Sequence, residues 1–230
     1  MVKAVVAEPT SMLVAASRGA EPCVRATVTS TTSTWTRGQG HGTTLQGSPD
    51  QWEFVQDIAA AAFPVYLFGA GHVAQALARQ LLPLGATLTW IDSRDEAFAG
   101  IDTAGAQTLV TDSPESEVAS APPGTFFVIM THSHALDFAL CEAVYSRHDF
   151  AYFGMIGSAT KRASFEHRLL DRGLARERLE ELTCPIGIAG IVSKQPAAIA
   201  LAVAAELFMR HTARQMLAHA SKPRQAIETR

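Results

Sequence analysis

Val65-Tyr66-Leu67-Phe68-Gly69-Ala70-Gly71-His72-Val73-Ala74 is the stretch that decides the fold. Four apolar residues in a row read as a buried strand. From His72 the apolar spacing becomes helical, through Val73, Leu77 and Leu81, and Pro83 and Gly85 close the helix near Leu82. Between strand and helix stands G-x-G-x-x-A. Gly69 permits the tight turn, Gly71 lets backbone approach a phosphate, and Ala74 lets helix and strand lie close together. The helix start supplies free N–H groups and a positive dipole end. Two readings are open: a cradle for a phosphate-bearing ligand, or a tight structural turn.

Working outward, the same alternation repeats. Strands are expected at Ala86–Ile91, Thr108–Val110, Phe126–Met130 and Ala151–Phe153. Helices are expected at 135–146, 159–171 and 176–182, and from Pro196 to about Met209. Pro at a first helical position is favourable. Strands alternating with helices predict an α/β fold, a doubly wound, mostly parallel Rossmann-type sheet over residues 61–214. Residues 1–60 read as a short, atypical N-terminal segment. Val24, Ala26 and Val28 alternate there as a short strand, and the following Gly/Thr/Gln stretch reads as loop or partial structure. Residues 215–230 read as a polar tail.

Composition narrows the function. Of 230 residues, 47% are hydrophobic, enough for a sizeable core. The net charge of −3 gives no electrostatic case for nucleic acid or an anionic membrane. No apolar run approaches the roughly 20 residues of a membrane span. Met1–Ala20 lacks the apolar centre of a signal peptide. Cys23, Cys141 and Cys184 are far apart and form no CxxC pair, which fits a reducing cytoplasm.

Four further motifs follow predicted elements. Asp92 ends the second strand, 21 residues after Gly71, where an acid binds ribose hydroxyls. Arg94 beside it would serve an extra phosphate. A capping Asp with a solvated Arg is the alternative. Thr131-His132-Ser133-His134-Ala135-Leu136-Asp137 follows the fourth strand. It admits a metal site, a helix cap with two satisfied histidines, or neutral imidazoles bonding a heterocycle or phosphate. Gly154-Met155-Ile156-Gly157-Ser158 opens a helix with Lys161 and Arg162 in its first turn. Cations there oppose the positive dipole end unless a negative ligand offsets them, or they form a solvated pair. Cys184-Pro185-Ile186-Gly187 and Ser193-Lys194-Gln195-Pro196 shape the loop before the last helix. Cys184 is a reactive thiol or, more simply, a buried structural one. These motifs cluster at strand C-termini, the ligand-binding edge of an open α/β sheet. There is no Ser-His-Asp order, no acid/base carboxylate pair and no Tyr-x-x-x-Lys dyad.

In this order, Phe68-Gly-Ala-Gly-His-Val, Trp90-Ile-Asp-Ser-Arg, Met130-Thr-His-Ser-His-Ala-Leu-Asp, Phe153-Gly-Met-Ile-Gly-Ser-Ala-Thr-Lys-Arg, Cys184-Pro-Ile-Gly-Ile and Lys194-Gln-Pro-Ala-Ala-Ile-Ala resemble the C-terminal Rossmann domain of XdhC-type xanthine dehydrogenase accessory proteins. The resemblance spans about Val65 to Phe208. It implies a cytoplasmic chaperone without turnover of its own. Such a protein binds molybdenum cofactor (molybdopterin), supports its sulfuration by a cysteine desulfurase, and passes it to the molybdenum subunit of xanthine dehydrogenase. A second copy of this chain, as a homodimer, is a further candidate partner. Carried over by position, the implied contacts are Gly69, Gly71, His72, Asp92, Arg94, His132, His134, Asp137, Gly157, Ser158, Lys161 and Arg162. An NAD(P)-dependent oxidoreductase using the same crevice is the alternative. The front of the chain departs from the family, whose Arg-Gly-Ser-x-Pro-Arg and Gly-Gly-Gly or Gly-Gly-Cys segments leave only traces at Glu21–Val28 and Gly38–Gly42.

Overall fold

The structure is a computed structural model that describes residues 24–29, 33–37, 43–48, 51–58, 63–103 and 105–220. It divides into two units. One takes in Met1–Ala62 with Ala218–Arg230, the other Phe63–Leu217.

The first unit holds an antiparallel sheet of β1 (Val24–Thr29), β2 (Ser33–Arg37), β3 (Thr43–Ser48) and β4 (Gln51–Ile58), in the order β2-β1-β4-β3. The expected strand at Val24–Val28 is β1. The stretch expected as loop instead supplies β3, and β4 follows it. Val24, Ala26 and Val28 alternate in β1 and Trp52, Phe54 and Ile58 in β4, but no apolar stripe marks β3. β-branched threonines favour extended backbone, and the cross-strand ladder, Thr44 opposite Val55 and Leu45 opposite Phe54, supplies the pairing. Cys23 and the Gly38–Gly42 run lie outside the described residues, as does the chain beyond Ala220.

The second unit follows the expected alternation. Its strands are β5 (Pro64–Phe68), β6 (Thr87–Asp92), β7 (Ala106–Val110), β8 (Phe126–Ile129), β9 (Tyr152–Met155) and β10 (Leu182–Thr183). All neighbours pair in parallel, in the order β10-β9-β8-β5-β6-β7. Counted from β5 as first, this is the Rossmann order 3-2-1-4-5-6, and the chain changes direction across the sheet between β5 and β8. The helices are α1 (His72–Leu81), α2 (Glu117–Ser120), α3 (His134–Tyr145), α4 (Ala159–Asp171) and α5 (Pro196–Ala220). The helix expected at 176–182 is a 3₁₀ segment, Arg176–Glu181, that leads into β10. β10 has two residues, too short to carry a period.

Both faces of the sheet are covered, which is why its central strands read as continuous apolar runs. Val65, Leu67, Phe126 and Val128 face one core with Ala74, Leu77 and Leu81 of α1 and Val203 and Leu207 of α5. Phe68, Phe127 and Ile129 face the other, with Leu140 and Val144 of α3 and Phe165 and Leu169 of α4. Burial of Ala74, not Val73, shows the third small residue of the glycine motif sealing helix against strand.

His211 of α5 is buried and stacks on Phe63, ring centroids 4.2 Å apart. Burial, and then the nearby Arg214 charge, hold its pKa below the usual imidazole value. The unfolded chain therefore takes a proton more readily than the folded one. The stability contributed by neutral His211 is full at neutral pH and falls as pH drops through about 6.5. Urea midpoints at about pH 7.5 and 5.5 check this: the native chain loses stability on acidification, and His211→Gln loses less.

Candidate functional site

Gly69 ends β5 with φ +103°, a region closed to most side chains. A Cβ there would lie 2.4 Å from the Met130 carbonyl oxygen. Gly69 is thus demanded by the approach of the β5 and β8 strand ends. Its carbonyl accepts the Trp90 indole N–H at 2.8 Å, which ties the turn to β6. Gly71 is different. A Cβ there would meet nothing within 4 Å, and its φ of −73° is open to any residue. Packing does not require Gly71. It N-caps α1 without a side-chain cap, and the first turn carries no acid.

Asp92, at the end of β6, is buried and fully engaged. Its Oδ2 accepts the Ala70 N–H at 2.7 Å and Arg94 Nη2 at 2.9 Å. Its Oδ1 accepts the Arg94 backbone N–H at 3.0 Å and Nε at 2.9 Å. Burial alone would raise its pKa. Hydrogen bonds from Arg94 and Ala70 more than offset that and hold the carboxyl below its ordinary value. The carboxylate has about four lone-pair sites, and four donors fill them. Asp92 therefore locks the glycine turn, through Ala70, to the strand beside it.

Two openings meet here. A narrow notch, too small for a ligand, lies among Gly69, Asp92, Ser93, Thr131 and His132. A groove of about 400 Å³ lies between the start of α1 (Ala70, Gly71, His72, Gln75) and the loop after β6 (Arg94, Glu96, Ala97, Ala99, Ile101). His72 and His132 are exposed beside these openings, and neither ring has a hydrogen-bond partner among the described residues. Gln75 and Glu96 line the groove too, although no sequence motif singles them out. Gln75 sits one turn into α1 and donates to the Ala70 carbonyl at 3.1 Å.

The remaining candidates form a second cluster. Asp137 is buried in the first turn of α3. Its Oδ1 accepts the Thr131 hydroxyl at 2.6 Å and the Thr131 N–H at 3.2 Å. Its Oδ2 accepts Lys161 Nζ at 2.5 Å, and Lys161 also donates to the Ile156 carbonyl at 3.1 Å. The negative charge that offsets Lys161 at the start of α4 thus comes from the chain itself. Arg162 pairs with Glu166 at 2.6 Å and donates to the Cys184 carbonyl at 3.2 Å. Ser158 caps α4 by accepting the Lys161 N–H, and a Cβ on Gly157 would crowd Lys161 and the Cys184 sulfur. Cys184 is buried, and desolvation pushes its thiol pKa up despite the nearby Lys161 and Arg162. His134 is exposed and lines neither opening. Among the described residues, no group of three His, Cys, Asp or Glu side chains converges on a metal-sized point.

The geometry is that of a Rossmann strand-end edge, and residues 65–207 match the family model of the XdhC Rossmann domain. The chain belongs to the XdhC family. Among solved structures, a Bacillus halodurans protein described as a xanthine dehydrogenase aligns with a TM-score of 0.64 at 18% identity, over 89% of this chain. This chain covers 63% of that protein, and at such identity the likeness shows the fold. No curated protein matches the chain. Among the described residues of this XdhC member, no helix is long and apolar enough to cross a membrane.

Proposed function

We propose that this XdhC protein is a cytoplasmic carrier that holds molybdenum cofactor by its phosphate and pterin edges at the α1 groove. It keeps the cofactor accessible to a cysteine desulfurase and passes it to the molybdenum subunit of xanthine dehydrogenase. The supporting observation is the groove beside Gly71, left open where no packing demands a glycine, with Arg94, His72 and the first amides of α1 around it. Those donors suit a phosphate and heterocycle edges.

The test is retention. Purified chain is mixed with isolated cofactor, free ligand is removed by ultrafiltration, and retained pterin and molybdenum are quantified. Stoichiometric retention is the expected result; background retention of both would sink the reading. The second reading, an NAD(P)-dependent oxidoreductase, draws on the Rossmann strand order and the G-x-G-x-x-A turn. NADPH oxidation coupled to an organic acceptor would favour it.

A further inference from the structure

We propose that Arg94 makes the α1 groove selective for a phosphomonoester over a free vicinal diol. The proposal rests on the reading of this groove as the ligand site and narrows the chemistry of what it takes. In a Rossmann domain, an acid at the end of the second strand binds ribose hydroxyls through free lone pairs. Asp92 stands at that place but has none to give, since Ala70 and Arg94 occupy both oxygens twice. A diol could bind only by displacing the Arg94 fork, which would leave a buried carboxylate short of its cation.

Arg94 has the opposite balance. Its side chain is half exposed and stands on the groove wall. A guanidinium carries five N–H donors, and Asp92 takes two of them. Three stay available to a phosphate, in a group suited to phosphate geometry. Gly71 lines the same groove and leaves open the volume a Cβ would take. The counterweight is Glu96, which lines the groove and repels a dianion. Glu96 is exposed and forms no ion pair among the described residues, so its removal isolates that repulsion.

Two sources carry the required group: the terminal phosphate of a phosphorylated pterin, or the 2′-phosphate of an adenosine nucleotide. The experiment uses one matched pair for each, titrated against the full chain. NADPH is compared with NADH, and intact molybdenum cofactor with the same cofactor after phosphatase treatment. The phosphorylated member of at least one pair is expected to bind about tenfold tighter. Glu96→Gln should tighten that member about two- to fivefold. Arg94→Lys, which keeps a cation beside Asp92 but loses the fork, should erase most of the preference. No preference in either pair, or no binding at all, overturns the proposal. Cofactor retained equally with and without its phosphate, together with no preference for NADPH over NADH, overturns it while leaving the carrier reading intact. A preference for NADPH with no cofactor retention supports the phosphate selectivity and overturns the carrier.

Discussion

Lys161→Ala lowers the stability of the Rossmann unit by about 3–5 kcal/mol, the cost of leaving a buried carboxylate without its counter-charge. The Asp137 side chain is 1% exposed and that of Lys161 10%, so water cannot replace the lost ammonium. The same change strips the Ile156 carbonyl of a donor. For a unit of this size the melting temperature should fall by roughly 6–20 °C. The double variant Asp137→Asn/Lys161→Met separates charge burial from packing. Its amide oxygen still accepts from Thr131, no naked charge remains, and the loss should shrink to about 1–2 kcal/mol. Urea unfolding of the native chain, Asp137→Asn, Lys161→Met and the double variant measures this coupling. A double variant as unstable as Lys161→Ala would mean that the ion pair is not the source of the effect.

This pair also shows what could be read from the sequence. Lys161 and Arg162 in the first turn of α4 signal a negative partner, because cations oppose the dipole there. The residues cannot say whether that partner is a ligand or another part of the chain. Asp137 lies 24 positions away, and only the parallel pairing of β8 with β9 brings their following loops together. Asp92 and Arg94 carry the same ambiguity, since a spacing of two suits a ribose acid with a phosphate cation as well as a self-contained fork. The alternation of strands and helices was legible because burial on both faces writes uninterrupted apolar runs such as Phe126–Ile129. It failed where no period could form, in the two residues of β10, and where β-branched threonines stood in for an apolar stripe, in β3.

The two glycines of the turn should respond in opposite ways. Gly69→Ala forces a side chain into positive-φ backbone and drives a methyl to 2.4 Å from the Met130 carbonyl. Neither side yields cheaply, because both contacts are main chain at the junction of the two central strands. A loss of about 4 kcal/mol is expected, enough to leave much of the protein unfolded or insoluble. Gly71→Ala places its methyl in open space with ordinary φ, so stability should change by no more than about 0.5 kcal/mol. That methyl would occupy the volume through which a phosphate reaches the α1 amides, so retention of a phosphate-bearing ligand should fall about tenfold. Thermal unfolding and ligand retention measured on the same preparations tell the two roles apart. If Gly71→Ala holds ligand as well as the native chain, the glycine turn is a folding device alone, and a ligand must take its phosphate contacts from Arg94 and the exposed histidines.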